Sequence, residues 1–224
     1  QDGAAARCVG VCRLPAGGFL NRASGMHPAE IAASYDSIAG KWQDPKLQTN
    51  GLLQFERALK FVPEGRRALD VGCGCSGRFT DLLQKRGFNV EGIDLSGRMI
   101  ALAETRNPGV RFYHADICIW ELPGKYDFIA AWDSIWHLPL SGQEPVMRKL
   151  CAGLNAGGVL IFTTGGLDGP AEKTDFCMGP LMYYSVLGIP KTLELLAHFG
   201  CVCRHLEYDQ YPEKHLYIIA QKTA

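Results

Sequence analysis

The stretch Ala68-Leu69-Asp70-Val71 followed by Gly72-Cys73-Gly74-Cys75-Ser76-Gly77 most narrows what this chain can become. Residues of strand character run into three glycines spaced as GxGxxG, and a helical pattern over 78–86 follows. Glycines so placed allow a tight turn and let a ligand approach the backbone closely. A strand, a glycine turn and a helix in that order open a βα unit.

The same alternation continues downstream. Strands are predicted over 89–95, 110–115, 126–132 and 159–164, with helices over 98–106 and 145–154 between them. The 126–132 segment is nearly all apolar, as a central parallel strand covered on both faces must be. Asn107-Pro108-Gly109 and Asn155-Ala156-Gly157-Gly158 read as stop signals. A long loop is expected over 165–188, then a helix over 191–199. Strands over 202–208 and 216–220 close the chain, joined by a turn around Pro212. Two amphipathic stretches precede the first strand, one carrying Ile31, Tyr35, Ile38 and Trp42, the other Leu52, Leu53, Phe55, Leu59 and Phe61. Repeated βα units predict an α/β fold with a doubly wound, mostly parallel sheet. The final hairpin predicts an antiparallel strand in or near its edge.

Composition bounds the function classes. With 224 residues the chain is long enough for one domain with its own core. Lys plus Arg equal Asp plus Glu at 23 each, so the basic excess that releases phosphate counterions is absent, and no nucleic-acid partner is expected. Apolar runs such as 128–132 and 159–162 fall well short of the ~18 residues that suggest a membrane span, so no membrane partner is expected. Nine cysteines sit mostly in apolar runs, without CxxC or a matched histidine pair. They read as buried free thiols of a cytoplasmic protein, with no metal site. Residues 1–25 hold three arginines and one acid and no apolar core of signal-peptide length. They read as a leader, expression-derived or disordered, outside a single domain over 26–224. Within that domain 26–62 is expected to form an N-terminal helical cap.

Asp94 ends the second strand, 22 residues after Gly72. An acid there can accept from both hydroxyls of a ribose, so an adenosine-containing cofactor is expected. Asp70, two residues before Gly72, would repel a pyrophosphate and attract an ammonium group. That sign favours S-adenosylmethionine over NAD.

The chain here resembles the class I S-adenosylmethionine-dependent methyltransferases, of the small-molecule type. The resemblance runs over about 35–222. It rests on the glycine loop, on Gly92-Ile93-Asp94-Leu95-Ser96, on His114-Ala115-Asp116-Ile117, on Tyr126-Asp127-Phe128-Ile129 and on Leu154-Asn155-Ala156-Gly157-Gly158-Val159-Leu160. It implies a seven-stranded sheet with an antiparallel last strand. It also implies Gly72, Cys73 and Gly74 at the methionine end of the cofactor, Gly77 as a further cofactor-binding residue, and Asp94 at the ribose. Leu95 would flank the adenine, with Asp116 and Ile117 at its amino edge, and Met99 would also be cofactor-binding. Trp132 and Asp133 would pass under the methionine portion, and Tyr35 and Trp42 would close over the cofactor. S-Adenosylhomocysteine would be the product.

Each assignment has a structural alternative. Asp94 could cap the next helix, Asp116 could serve a turn, and Tyr35 and Trp42 could be core. Asp70 could orient loop amides. On the acceptor side His137 is the candidate base or orienter, because it follows the fourth strand and titrates near neutrality. Trp136, Met182, Tyr183 and Tyr184 are candidate acceptor contacts, the last three within an expected lid over 165–188. The expected activity is in-line methyl transfer to a small-molecule acceptor by a monomer or homodimer. The alternatives are an NAD-dependent oxidoreductase and a non-catalytic module that binds S-adenosylmethionine.

Overall fold

A computed structural model describes residues 25–44, 49–63 and 65–223. Most of the 1–25 leader thus lies outside the described residues. The elements run β1 Arg67–Val71, β2 Asn89–Asp94, β3 Arg111–His114, β4 Tyr126–Ala131, β5 Leu154–Gly165, β6 Ala171–Asp175, β7 Met182–Val186, β8 Cys201–Tyr208 and β9 His215–Lys222. The α-helices are α1 Pro28–Ile38, α2 Leu52–Leu59, α3 Arg78–Lys85, α4 Gly97–Arg106, α5 Leu140–Ala152 and α6 Ile189–His198.

Seven strands form one sheet in the order β3-β2-β1-β4-β5-β9-β8. β1 pairs parallel with both β2 and β4, and β4 pairs parallel with β5. β9 runs antiparallel between β5 and β8. This is the expected mostly parallel sheet with an antiparallel last strand. After β1 the chain builds outward on one side through β2 and β3, then returns to build the other side from β4. The crevice beyond the carboxyl ends of β1 and β4 is the topological switch point, where open α/β sheets bind ligands.

Local chemistry explains the boundaries. His27 and Glu30 form a capping box at the start of α1, and Pro28 takes the first helical position. Ser96 caps α4 by accepting from the Met99 N–H. Phe128 on β4 is fully buried, as are Leu69 on β1 and Val159 on β5. One face of the sheet packs against α5 and α6 through residues such as Met147, Leu150 and Leu195. The other face packs against α2 and α3 through Phe55, Phe79 and Leu83.

Four expectations need correction. The first helical stretch ends at Ile38, and a 3-10 turn over Ala39–Gln43 carries Trp42. α5 starts at Leu140 rather than near 145, with Pro145 inside it. Tertiary bonds hold that early turn: Gln143 donates to the Ile135 carbonyl at 2.9 Å, and the Leu140 N–H donates to the Tyr183 hydroxyl at 3.2 Å. The 165–188 segment is not a loop but carries the antiparallel hairpin β6–β7, in register Lys173↔Tyr184. β6 is charged and half exposed, which hides it from an apolar-pattern reading, while β7 is buried throughout. Finally, Cys177 and Cys203 are exposed, whereas Cys75, Cys151 and Cys201 are buried as expected.

Candidate cofactor and acceptor site

The main cleft opens at the switch point and encloses about 1070 Å³ including its mouth. The turn after β1 supplies its floor. The Gly72 and Cys73 N–H groups both donate to the Ile93 carbonyl, at 2.8 and 3.1 Å, which folds the loop back over β2. Gly72 has φ +73°, and a Cβ there would lie 2.2 Å from Cβ of Ser134. Gly74 has φ +56°, and a Cβ there would meet nothing within 4 Å. The first glycine is therefore needed for packing, and the second leaves open space over the backbone where a ligand can sit.

Asp94 lines the cleft and ties the loop to the next helix. Its Oδ2 accepts from the Gly74 N–H at 2.9 Å and its Oδ1 from the Ser96 N–H at 2.8 Å. Burial pushes its carboxyl above the usual range, and backbone N–H groups oppose that rise. The helix-capping alternative and the ligand reading thus meet in one side chain, because each carboxylate oxygen keeps a second lone pair. Leu95 and Met99 follow on the same wall. Asp116 and Ile117 enter from the turn after β3, where Asp116 Oδ1 accepts from the Cys118 N–H at 2.8 Å. Lys149 of α5 braces that turn by donating to the carbonyls of Ile117, Cys118 and Trp120.

Tyr35 and Trp42 close the cleft from α1 and the 3-10 turn, and Trp132, Asp133 and His137 close it from the segment after β4. The Tyr35 hydroxyl donates to His137 Nε2 at 2.6 Å, and the Trp136 indole N–H reaches the same nitrogen at 3.1 Å. His137 Nδ1–H donates to the Tyr183 carbonyl at 2.7 Å. Burial pulls the imidazole down to about 4, so it is neutral near pH 7 with its single lone pair engaged. This geometry suits an orienter of Tyr35 rather than a free base.

Not every expected residue reaches the cleft. Asp70 is buried and does not line it, because the two-residue period of β1 puts it on the Ala68 face while Val71 faces the cleft. Burial lifts its carboxyl to about 7, against the opposing charge of Arg78. The ammonium-partner role argued from its position is thus not supported by its placement. Gly77 also lies outside the cleft; a Cβ there would strike the Arg106 side chain, so this glycine serves the packing of α3 on α4. Trp136 and Tyr184 line a second cavity of about 550 Å³ under the β6–β7 hairpin. Met182 and Tyr183 line neither cavity. Met182 packs with Ile38 and Trp136, and Tyr183 holds His137 through its carbonyl.

Two features escaped the sequence reading. Arg78 lines the cleft, with Nε donating to the Asn50 carbonyl at 2.8 Å and Nη1 to Ser76 Oγ at 2.8 Å. Its place directly after the glycine motif was the available signal. The other is His215, buried on β9 between two carboxylates, with Nε2 2.9 Å from Asp133 Oδ1 and Nδ1 2.5 Å from Asp209 Oδ1. Desolvation opposes its charge, but the two carboxylates prevail and hold it up at about 10. Nothing local in the sequence joins positions 133, 209 and 215.

His215 gives a pH prediction. Its folded value lies above the ordinary 6.5, so its stabilising contribution is full below pH 6.5 and is lost as pH rises toward 10. The urea midpoint of the protein is expected to fall between pH 7 and 10 more steeply than that of His215→Gln. Parallel curves for the two proteins would show that the imidazolium is not present.

Among the described residues, Trp42 Nε1, Trp132 Nε1 and Asp133 Oδ2 are buried without a hydrogen-bond partner, and all three residues line the cleft. Unpartnered buried donors and acceptors cost about 1–3 kcal/mol each, so a polar ligand is the expected source of partners. Together with the open space over Gly74 and the acid at Asp94, the cleft fits an adenosine-containing group.

These features define the fold class of the class I S-adenosylmethionine-dependent methyltransferases. The chain belongs to the methyltransferase-domain family, whose model matches residues 47–199. It is similar to the ubiquinone biosynthesis O-methyltransferase of Bordetella avium, 28% identical over 143 residues, covering 58% of each chain. The Methylococcus capsulatus enzyme of that name is 30% identical over 152 residues, covering 62% of each. The chain thus spans about three fifths of the length of these curated relatives. Its fold matches that of Burkholderia thailandensis 1,6-didemethyltoxoflavin-N1-methyltransferase, solved with 1,6-didemethyltoxoflavin and S-adenosylhomocysteine bound. That match has a TM-score of 0.65 and 18% identity, and covers 92% of this chain and 99% of the other.

Proposed function

We propose that this chain transfers the methyl group of S-adenosylmethionine to a small-molecule acceptor. The observation that carries this reading is the cleft itself: a glycine turn open over Gly74, Asp94 beside it, and buried polar atoms without partners around the rim. The family and its relatives support it.

When bound, S-adenosylmethionine supplies a methyl group already activated on a sulfonium. The protein's task is then alignment and exclusion of water rather than activation. Asp94 would hold the ribose, Asp116 and Ile117 the adenine edge, and Gly72, Cys73 and Gly74 the methionine end, with the backbone after β4 alongside. Tyr35 and Trp42 cover the cleft, and His137 fixes the Tyr35 hydroxyl. The β6–β7 hairpin acts as the acceptor-side cover: Ser34 Oγ of α1 donates to the Leu181 carbonyl at 2.9 Å, and Lys41 Nζ reaches the Met178 carbonyl at 3.2 Å. Among the described residues no helix is long and apolar enough to cross a membrane. Buried free thiols at Cys75, Cys151 and Cys201 fit a cytoplasmic setting.

Calorimetry with S-adenosylhomocysteine and NAD tests the cofactor side. Binding of the first in the micromolar range, with none of the second, is expected. Binding of NAD alone would reject the reading.

A further inference from the structure

The Asp133 carboxylate is held by groups from β5 and β9. Its backbone sits at φ 53°, and it is the one non-glycine residue with positive φ among the described residues. That conformation costs energy in most residues and persists where surrounding contacts fix it. Here Thr163 of β5 fixes it: the Asp133 N–H donates to Thr163 Oγ1 at 2.7 Å, and that hydroxyl reaches Asp133 Oδ1 at 3.3 Å. His215 Nε2 donates to the same oxygen at 2.9 Å, and Asp209 holds the far side of the ring. Gln54 donates in turn to Asp209 Oδ2 at 2.9 Å. Every described contact converges on Oδ1, while Oδ2 is buried with no partner.

The other unpartnered buried atoms lining this cleft, Trp42 Nε1 and Trp132 Nε1, are donors. His137, the alternative base, has its lone pair taken by Tyr35 and Trp136. Among the fully buried side-chain atoms of the described residues lining this cleft, Asp133 Oδ2 is thus the acceptor without a partner. It also marks the boundary between the two cavities, because Asp133 lines the main cleft and its partner His215 lines the cavity under the hairpin.

Resting on the methyl-transfer reading above, we propose that Asp133 Oδ2 binds the hydrogen of a protic acceptor, an O–H or N–H compound, and takes its proton during transfer. The acceptor's lone pair forms the new bond to the methyl carbon as the carbon–sulfur bond breaks. The sulfur keeps that electron pair as a neutral thioether, and the acceptor's proton passes to Asp133. His215 is the positioning residue, and Asp209 anchors it. With the imidazolium between two carboxylates, the three groups carry one net negative charge. Taking up the proton brings them to neutrality, which a buried site favours. Arg78, Tyr35 and His137 are the other charged or titratable groups that interact with Asp133 across the cleft.

The test uses the whole chain, Asp133→Asn and His215→Gln, with phenol and benzylamine as protic probes and pyridine as an aprotic one. Asparagine tolerates positive φ and keeps the shape of aspartate, so the variant is expected to fold. The expected result is methyl transfer to phenol or benzylamine but not to pyridine. Asp133→Asn should lower its kcat ~100-fold or more, with S-adenosylhomocysteine affinity within ~3-fold of the parent. His215→Gln should lower kcat with the same affinity. Nitrogen NMR should report His215 as imidazolium at pH 8 in the parent and shifted toward the neutral form in Asp133→Asn. Undiminished transfer by Asp133→Asn overturns the proposal. So does transfer to pyridine, or to neither protic probe. Loss of S-adenosylhomocysteine affinity in Asp133→Asn would assign the carboxylate to the cofactor and overturn it as well. Failure of the parent chain to bind S-adenosylhomocysteine would instead strike the cofactor reading beneath it.

Discussion

Asp94→Ala is expected to weaken S-adenosylhomocysteine binding by ~10- to 150-fold in calorimetry. The range follows from losing charge-assisted hydrogen bonds worth ~1.5–3 kcal/mol. Three losses act together. The ribose would lose its acceptor, and the Gly74 N–H would lose the oxygen that now holds the loop at 2.9 Å. The Ser96 N–H, at the start of α4, also loses its partner at 2.8 Å. Asp94→Asn keeps one carbonyl oxygen and should fall between the parent and the alanine variant. Unchanged affinity in Asp94→Ala would remove Asp94 from the ligand and leave only the helix-capping role.

Phe128→Ala is expected to lower unfolding free energy by ~3–5 kcal/mol in urea titration, the range for emptying an aromatic site in a packed core. Phe128 is fully buried on β4 and pairs with Ala68 of β1 and Val159 of β5. Its ring centre lies 5.8 Å from that of Phe55 on α2 and 6.1 Å from that of Phe88 just before β2, so both segments lose a contact. β4 also carries Trp132 and Asp133 at its end, so the variant should lose ligand affinity only in proportion to its unfolded fraction. A change below ~1 kcal/mol would mean that the core closes over the space.

How far the site could be read depended on how local its determinants are. The glycine loop, Asp94, Asp116 and the segment after β4 were legible because each sits at the end of a strand whose pattern announces it. Tyr35 and Trp42 both line the cleft, although the helix expected to carry both breaks into a 3-10 turn at Ala39. Asp70 misled. Its position suggested a ligand contact, and one residue of strand alternation turned it to the opposite face. The β6–β7 hairpin was missed because β6 reads Ala-Glu-Lys-Thr-Asp, with charges that suggest a loop until Lys173 Nζ is seen 5.0 Å from the centre of the Tyr184 ring. Met182 and Tyr183 were expected to touch the acceptor and instead support His137 and the hairpin.

Local pattern alone was enough for the βα alternation, the parallel sheet with its antiparallel last strand, and a glycine turn after β1 that lines a cleft. These follow from periodicity, glycine placement and the acid at a strand end, all of which act within a few residues. Only the tertiary structure decided which polar groups meet. Asp133, Asp209 and His215 converge because β9 inserts between β5 and β8, and Asp133 lies beyond the end of β4 next to β5. The His137 lone pair is taken because α1 crosses the cleft to bring Tyr35 to it. A histidine's role depends on the partners of its two nitrogens, and partners 102 and 82 residues away are set by chain topology rather than by local pattern.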